Sequence, residues 1–312
     1  MKAAAQILDA PDATARRSLA LPAAGEKSLA AVMSELFKAR LTTLVLLTTM
    51  VGFYLGSRGP MTWALLLNAL GGTALLAGGA SALNQLLERE HDAKMRRTQD
   101  RPLPSGRLTP ETVLIIGGTC GTMGLIWLAL TVNVVTALLG ALTLGSYLLV
   151  YTPLKRVTTL NTVIGAIPGA LPPLMGWTAA RGEIAGGGWS LFAILCFWQL
   201  PHFLAIAWMY REDYAKAGFV MLPVVDPSGE RTGRQALCHT LGLMPVSLCP
   251  FLLHLVGVSY VIGALVLGAG FVWFALQFSR DLTAPRARML FYASVVYLPS
   301  LLALMVLGKI GT

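Results

Sequence analysis

The sequence predicts an all-α, polytopic membrane protein: a bundle of about nine transmembrane helices, with the N-terminus inside and the C-terminus outside. Three observations predict it. Charged residues make up 12% of the 312 and apolar residues 55%, whereas soluble domains carry roughly 25% charge. Apolar stretches of about 20 residues, the length that crosses a bilayer, recur along the chain. Finally, lysine and arginine are segregated. With the N-terminus inside and alternating spans, only Arg58, Arg181 and Lys309 of the 24 basic residues fall outside, an asymmetry that orients membrane proteins. It also accounts for the net charge of +9 as topology. Nucleic acid is thereby removed as a partner, and the lipid bilayer is the expected surrounding.

Taken in order, residues 1–34 are polar and read as a disordered cytoplasmic tail, with residues 35–312 as one transmembrane domain. The tail lacks the continuous apolar run of a signal peptide, and Asp9 and Asp12 count against a transit peptide. Ser34 to Arg40 form a short amphipathic lead-in. The spans are placed at 41–57, 61–87, 111–130, 132–151, 160–180, 188–210, 235–256, 259–279 and 288–308. Gly117 with Gly121, and Gly165 with Gly169, have the four-residue spacing of close helix packing. Cys120, Cys196, Cys238 and Cys249 all sit in apolar segments without paired spacing, and read as small buried or lipid-facing residues.

The densest charge lies in Asn84 to Arg107. Asn84, Glu88 and Asp92 are spaced four and four, so on a helix their side chains fall within roughly 80° of arc. Arg96, Arg97, Arg101 and Arg107 follow. Carboxylates suit a hard divalent cation and arginines suit phosphate oxygens, which together fit a metal-bound diphosphate. The competing reading is a charged loop whose acids and bases neutralise one another.

Two further stretches reach the same side of the membrane. In Phe197 to Pro223, a continuous helix would bring Trp198, His202, Met209 and Asp213 within roughly 60° of one another, with a bend at Pro201. Ionisable residues at membrane depth point to function, while an interfacial histidine bonded to the backbone is the plainer account of His202. Between Tyr151 and Trp177, Lys155 and Arg156 provide inside-facing cations. Asn161 and the Pro172–Pro173 pair suggest an irregular, cavity-lining helix, although a positive-inside anchor with a proline kink is the stronger account of this stretch taken alone.

These residues carry a resemblance. The run N-x3-E-x3-D-x2-M-x-R-T-x2-R-P-L from Asn84 to Leu103, Y-T-x-x-K-R from Tyr151, W-Q-x-P-H-F from Trp198 and D-Y-x-x-A-G-x-x-M-L-P from Asp213 occur in order. Over residues 35–310 the chain resembles the protohaem IX farnesyltransferase branch of the intramembrane aromatic prenyltransferase superfamily. It departs at Lys38-Ala39-Arg40, where Lys-Pro-Arg is expected, a change expected to touch the helix start rather than the chemistry.

The resemblance implies transfer of a farnesyl group from farnesyl diphosphate to a vinyl group of haem B, with addition of water. Mg2+ would be held by Asn84, Glu88, Asp92 and Asp213, which are also the expected catalytic residues. Arg96, Arg97, Arg101, Lys155, Arg156 and Arg211 would neutralise the diphosphate, and His202 and Trp198 would face the haem. The expected setting is a bacterial inner membrane with a cytoplasmic active site and a haem A synthase partner. A quinone-precursor or chlorin acceptor on the same architecture is the nearest rival. A secondary transporter is the rival from another class, although its ionisable residues should cluster near the midplane.

Overall fold

In the computed structural model of the chain the described residues are 27–310. Residues 1–26 of the expected tail lie outside them. Within the stretch expected as tail, α1 (Leu29–Leu36) is helical, and Ser28 Oγ accepts from the Ala31 N–H at 3.3 Å. Burial explains the difference: Leu36 packs with Ala82, Leu103 and Val113. Gln85 Nε2 donates to the Glu35 and Leu36 carbonyls at 3.1 and 2.8 Å, satisfying acceptors that a helix end leaves open.

Among the described residues, nine helices are long and apolar enough to cross a membrane. They are α2 (Ala39–Gly56), α3 (Trp63–Asp92), α4 (Pro110–Thr131), α5 (Val134–Leu154), α6 (Asn161–Arg181), α7 (Gly186–Met209), then, after the short α8 (Arg211–Lys216), α9 (Glu230–Leu252), α10 (Val258–Arg280) and α11 (Ala284–Leu307). Each falls on a span expected from the sequence. Helix α3 continues past its expected end to Asp92 and so carries Asn84, Glu88 and Asp92 on one helix.

Helix α6 forms the spine of the bundle, lying between α2, α5 and α7. Its Pro168, Pro172 and Pro173 are buried, and it stays helical throughout rather than becoming irregular. Glycines make the close approach to α2 possible. A Cβ at Gly52 would strike the Pro173 carbonyl oxygen, and one at Gly176 would strike that of Thr49. Gly79 meets Gly117 and Gly121 in the same way across α3 and α4. The four-residue glycine spacing is therefore packing.

Two of the three basic residues on the minority side have a structural task. Arg181 Nε donates to the Gly56 carbonyl at 2.6 Å, and Lys309 Nζ to Tyr54 and Ser57 at 2.7 and 2.8 Å. Both cap the C-terminus of α2, where cations are favoured, at the end of the bundle opposite Asn84.

Candidate active site

The last two turns of α3 bury Asn84, Glu88 and Asp92, at 0%, 3% and 1% exposure. Each offers its oxygen to a different basic side chain. Lys38 Nζ donates to Asn84 Oδ1 at 2.9 Å, Lys155 Nζ to Glu88 Oε1 at 2.7 Å, and Arg101 Nη1 to Asp92 Oδ2 at 2.7 Å. The bases come from three separate places: the α1–α2 junction, the end of α5 and the loop after α3. Asp92 Oδ1 is buried with no hydrogen-bond partner.

Local structure sets these positions. Lys38 has left-handed backbone (φ 47°, ψ 54°) and turns the chain from α1 into α2. Such a conformation disfavours a residue with a Cβ. Lys155 follows a π-helical segment of α5, Ser146–Tyr151, a distortion often found at functional sites. Its wider turn stacks Tyr147 on Tyr151 with ring centres 5.8 Å apart. Lys155 Nζ lies 4.5 Å over the Tyr151 ring, and the Tyr147 hydroxyl is 3.5 Å from Lys38 Nζ. Asn84 Nδ2 donates to Thr152 Oγ1 at 3.1 Å, which fixes the amide with its oxygen toward Lys38.

The charges are strongly coupled. Burial, with Arg101 and Lys155 nearby, pulls the Lys38 ammonium down to about 7 against the opposing effect of Glu88 and Asp92. Burial also lowers Lys155, but Tyr151 and Glu88 more than offset it, so that its ammonium is held above its ordinary value. Lys38, Tyr147 and Thr152 are site residues that pattern reading did not find. The sequence signals were the Lys38-Ala39-Arg40 motif, whose lysine enters the site directly and is not confined to starting a helix, and the Y-T-x-x-K-R run, whose threonine is Thr152.

A clamp closes the rim. The Val220 N–H donates to the Lys155 carbonyl at 2.7 Å, and Asn161 Nδ2 donates to the Val220 carbonyl at 2.9 Å. Arg97 Nη2 donates to the Tyr214 hydroxyl at 3.2 Å, joining the loop after α3 to α8. Arg156 Nη2 donates to the Leu87 carbonyl at 3.0 Å, Arg211 lies 4.3 Å over the Trp208 ring, and Arg96 is exposed.

One sequence expectation changes. Helix α7 ends at Met209, because Tyr210 leaves helical geometry (φ −113°, ψ 21°). Asp213 therefore sits on α8, off the stripe of Trp198 and His202. Among the described residues no three of His, Cys, Asp and Glu are grouped to hold a metal. In turn, Trp198 and His202 face α11. Trp198 Nε1 donates to the Ser294 carbonyl at 2.7 Å, and His202 Nδ1 is 2.7 Å from Ser294 Oγ. The His202 ring lies 5.0 Å from both Trp198 and Phe291. Their polar atoms are used in helix packing.

The donor set of α3 fits a hard cation. It offers one amide and two carboxylates on a single face, with Asp92 Oδ1 buried and unpartnered.

Residues 45–296 match the UbiA prenyltransferase family. A protoheme IX farnesyltransferase of Solibacter usitatus is 46% identical over 286 residues, covering 89% of this chain and 98% of the relative. Two solved structures share the fold. A digeranylgeranylglyceryl phosphate synthase has a TM-score of 0.76 at 15% identity, covering 89% of this chain and 98% of that one. A UbiA homolog from Archaeoglobus fulgidus, bound to GPP and Mg2+, has a TM-score of 0.59 at 14% identity, covering 88% and 99%. The chain belongs to the UbiA prenyltransferase family, among its protoheme IX farnesyltransferases.

Proposed function

We propose that this chain transfers the farnesyl group of farnesyl diphosphate to a vinyl group of haem B, with addition of water, giving haem O and diphosphate. The observation that carries the donor half is the buried row Asn84, Glu88 and Asp92, with a basic side chain on each residue. The acceptor half rests on the similarity to the Solibacter protein.

Asn84, Glu88 and Asp92 would hold Mg2+, the ion named with the Archaeoglobus homolog. When bound, it supplies positive charge to the diphosphate as the carbon–oxygen bond breaks. Lys155 and Arg101 point cations at the same place and stabilise the negative charge that develops on the leaving group, often a large catalytic contribution, with Arg97 at the rim on Tyr214. Tyr147 and Tyr151 wall the site with aromatic surface and keep bulk water from the allylic cation. Arg96, Arg156 and Arg211, none engaged with Glu88 or Asp92, are the rim cations available to the haem propionates. Asp213, half-buried on α8, is left a rim role.

A quinone-precursor or chlorin acceptor would share the donor site, and the Solibacter relative gives it no support. A transporter is disfavoured because the charged row lies at one end of the bundle. The distribution of lysine and arginine supports an inner-membrane protein with the site facing the cytoplasm, N-terminus inside and C-terminus outside. Haem O is a haem intermediate, so a haem A synthase is the fitting partner to receive it. Chelation is the test of the metal: EDTA should abolish diphosphate release and Mg2+ restore it. Full release in EDTA would remove the metal from the account.

A further inference from the structure

A cavity of about 340 Å3 lies where α6, α7 and α9 meet, next to the clamp on Lys155. Thr159 and Leu222, which both line it, follow closely on Lys155 and Val220, the two residues that the clamp hydrogen bond joins. Its floor is Leu200, Leu204 and Leu222, all buried, while its lips Leu160 and Val163 are 59% and 43% exposed. In a membrane-spanning bundle such lips meet lipid. The cavity is therefore an apolar slot entered from the bilayer, at the end of the bundle that carries the α3 row.

Helix α9 supplies its polar chemistry. His239 lines the cavity and packs edge-on against Phe197, with ring centres 6.3 Å apart. Among the described residues no hydrogen bond engages its ring nitrogens, whereas His202 on α7 is bonded to Ser294. An unengaged imidazole is a ready metal ligand and a common axial ligand of haem iron. Arg231 and Arg234 are exposed on the first turns of the same helix and make no ion pair among the described residues. Arg231 precedes Gln235 by four residues and His239 by eight, and Arg234 precedes Cys238 by four. Both arginines thus lie along the stripe of α9 that lines the cavity. An apolar slot, an open imidazole and two cations at its polar end suit a planar, iron-bearing dicarboxylate.

We propose that this groove is where the haem acceptor docks from the bilayer, with His239 ligating the iron, the leucine floor enclosing the macrocycle, and Arg231 and Arg234 holding the propionates. The inference rests on the haem reading of the acceptor and gives the haem a place outside the α3 row. Arg231 and Arg234 join Arg96, Arg156 and Arg211 as propionate partners, and of the five only these two share a helix face with His239. Ligand pockets run from roughly 300 to 1,000 Å3, so this one takes the iron-bound part of the ring and leaves an edge in lipid between Leu160 and Val163.

The test titrates haem b into the full-length protein in detergent and reads the Soret band and the ferric EPR spectrum. The parent should show an imidazole-ligated haem, bound at least about tenfold more tightly than haem dimethyl ester, which lacks the propionate charges. His239→Leu and His239→Gln should lose that ligation and at least about tenfold in haem affinity, with farnesyl diphosphate binding kept. The double variant Arg231→Ala, Arg234→Ala should erase the preference over the ester; both side chains are exposed, so it keeps the test open where a His239 variant fails to fold. An imidazole signal retained in folded His239 variants, or lost instead in Cys238→Ser or His202→Ala, overturns the inference, as does equal affinity of the parent for haem and its ester. Farnesylated haem formed by the same preparations then leaves the function standing. Neither haem binding nor farnesylated haem from folded parent overturns both.

Discussion

Asp92 is the residue on which the donor site most depends. One oxygen holds Arg101 and the other is buried without a partner, an expensive arrangement that a ligand would relieve. Asp92→Ala should lower farnesyl transfer by at least about 100-fold, with the protein still monodisperse in detergent. Turnover within a few-fold of the parent would take Asp92 out of the site. His202→Ala tests the opposite assignment. It removes a contact to Ser294 and an aromatic sandwich, so it should cost about 1–3 kcal/mol of stability while haem affinity is kept. A selective loss of haem binding at unchanged stability would restore its haem-facing role. At this scale, the four-residue spacing made Asn84, Glu88 and Asp92 legible in the sequence. Lys38 was not legible as a site residue, because its place depends on a left-handed turn and on a hydrogen bond to a residue 46 positions away.

At the scale of elements, apolar length located all nine spans, since only a helix satisfies its own backbone in lipid. What failed was continuity. The stripe from Trp198 to Asp213 assumed one helix, and the break at Tyr210 separates its ends. In α6 the error ran the other way, for the Pro172–Pro173 pair was read as a sign of irregularity, and the helix absorbs it together with Pro168. The tight α2–α6 contact yields its own prediction. Gly176→Ala would force a Cβ onto the Thr49 carbonyl, so it should destabilise the fold by about 1–3 kcal/mol or more, seen as a lower melting temperature in detergent. An unchanged melting temperature would mean the helices can separate freely there.

At the scale of the whole molecule, the distribution of lysine and arginine was legible from the first reading, and the proposal it supports has the α3 site facing the cytoplasm. Single cysteines introduced into a chain lacking its native ones would check this. Glu183→Cys, beyond the end of α6, should react with a membrane-impermeant thiol reagent in intact cells, and Ser105→Cys only after permeabilisation. The reverse pattern would invert the molecule. How the pieces meet was not legible. The clamp from Val220 to Lys155 and Asn161 ties segments about 60 residues apart, which no local pattern records.

The central claim is the reaction itself. The most direct measurement incubates the purified protein in detergent with haem B, farnesyl diphosphate and Mg2+, and reads the haem by mass spectrometry. The account predicts a new haem heavier by one farnesyl group plus water, formed with stoichiometric diphosphate. Diphosphate released from folded, metal-replete protein with the haem mass unchanged would contradict it.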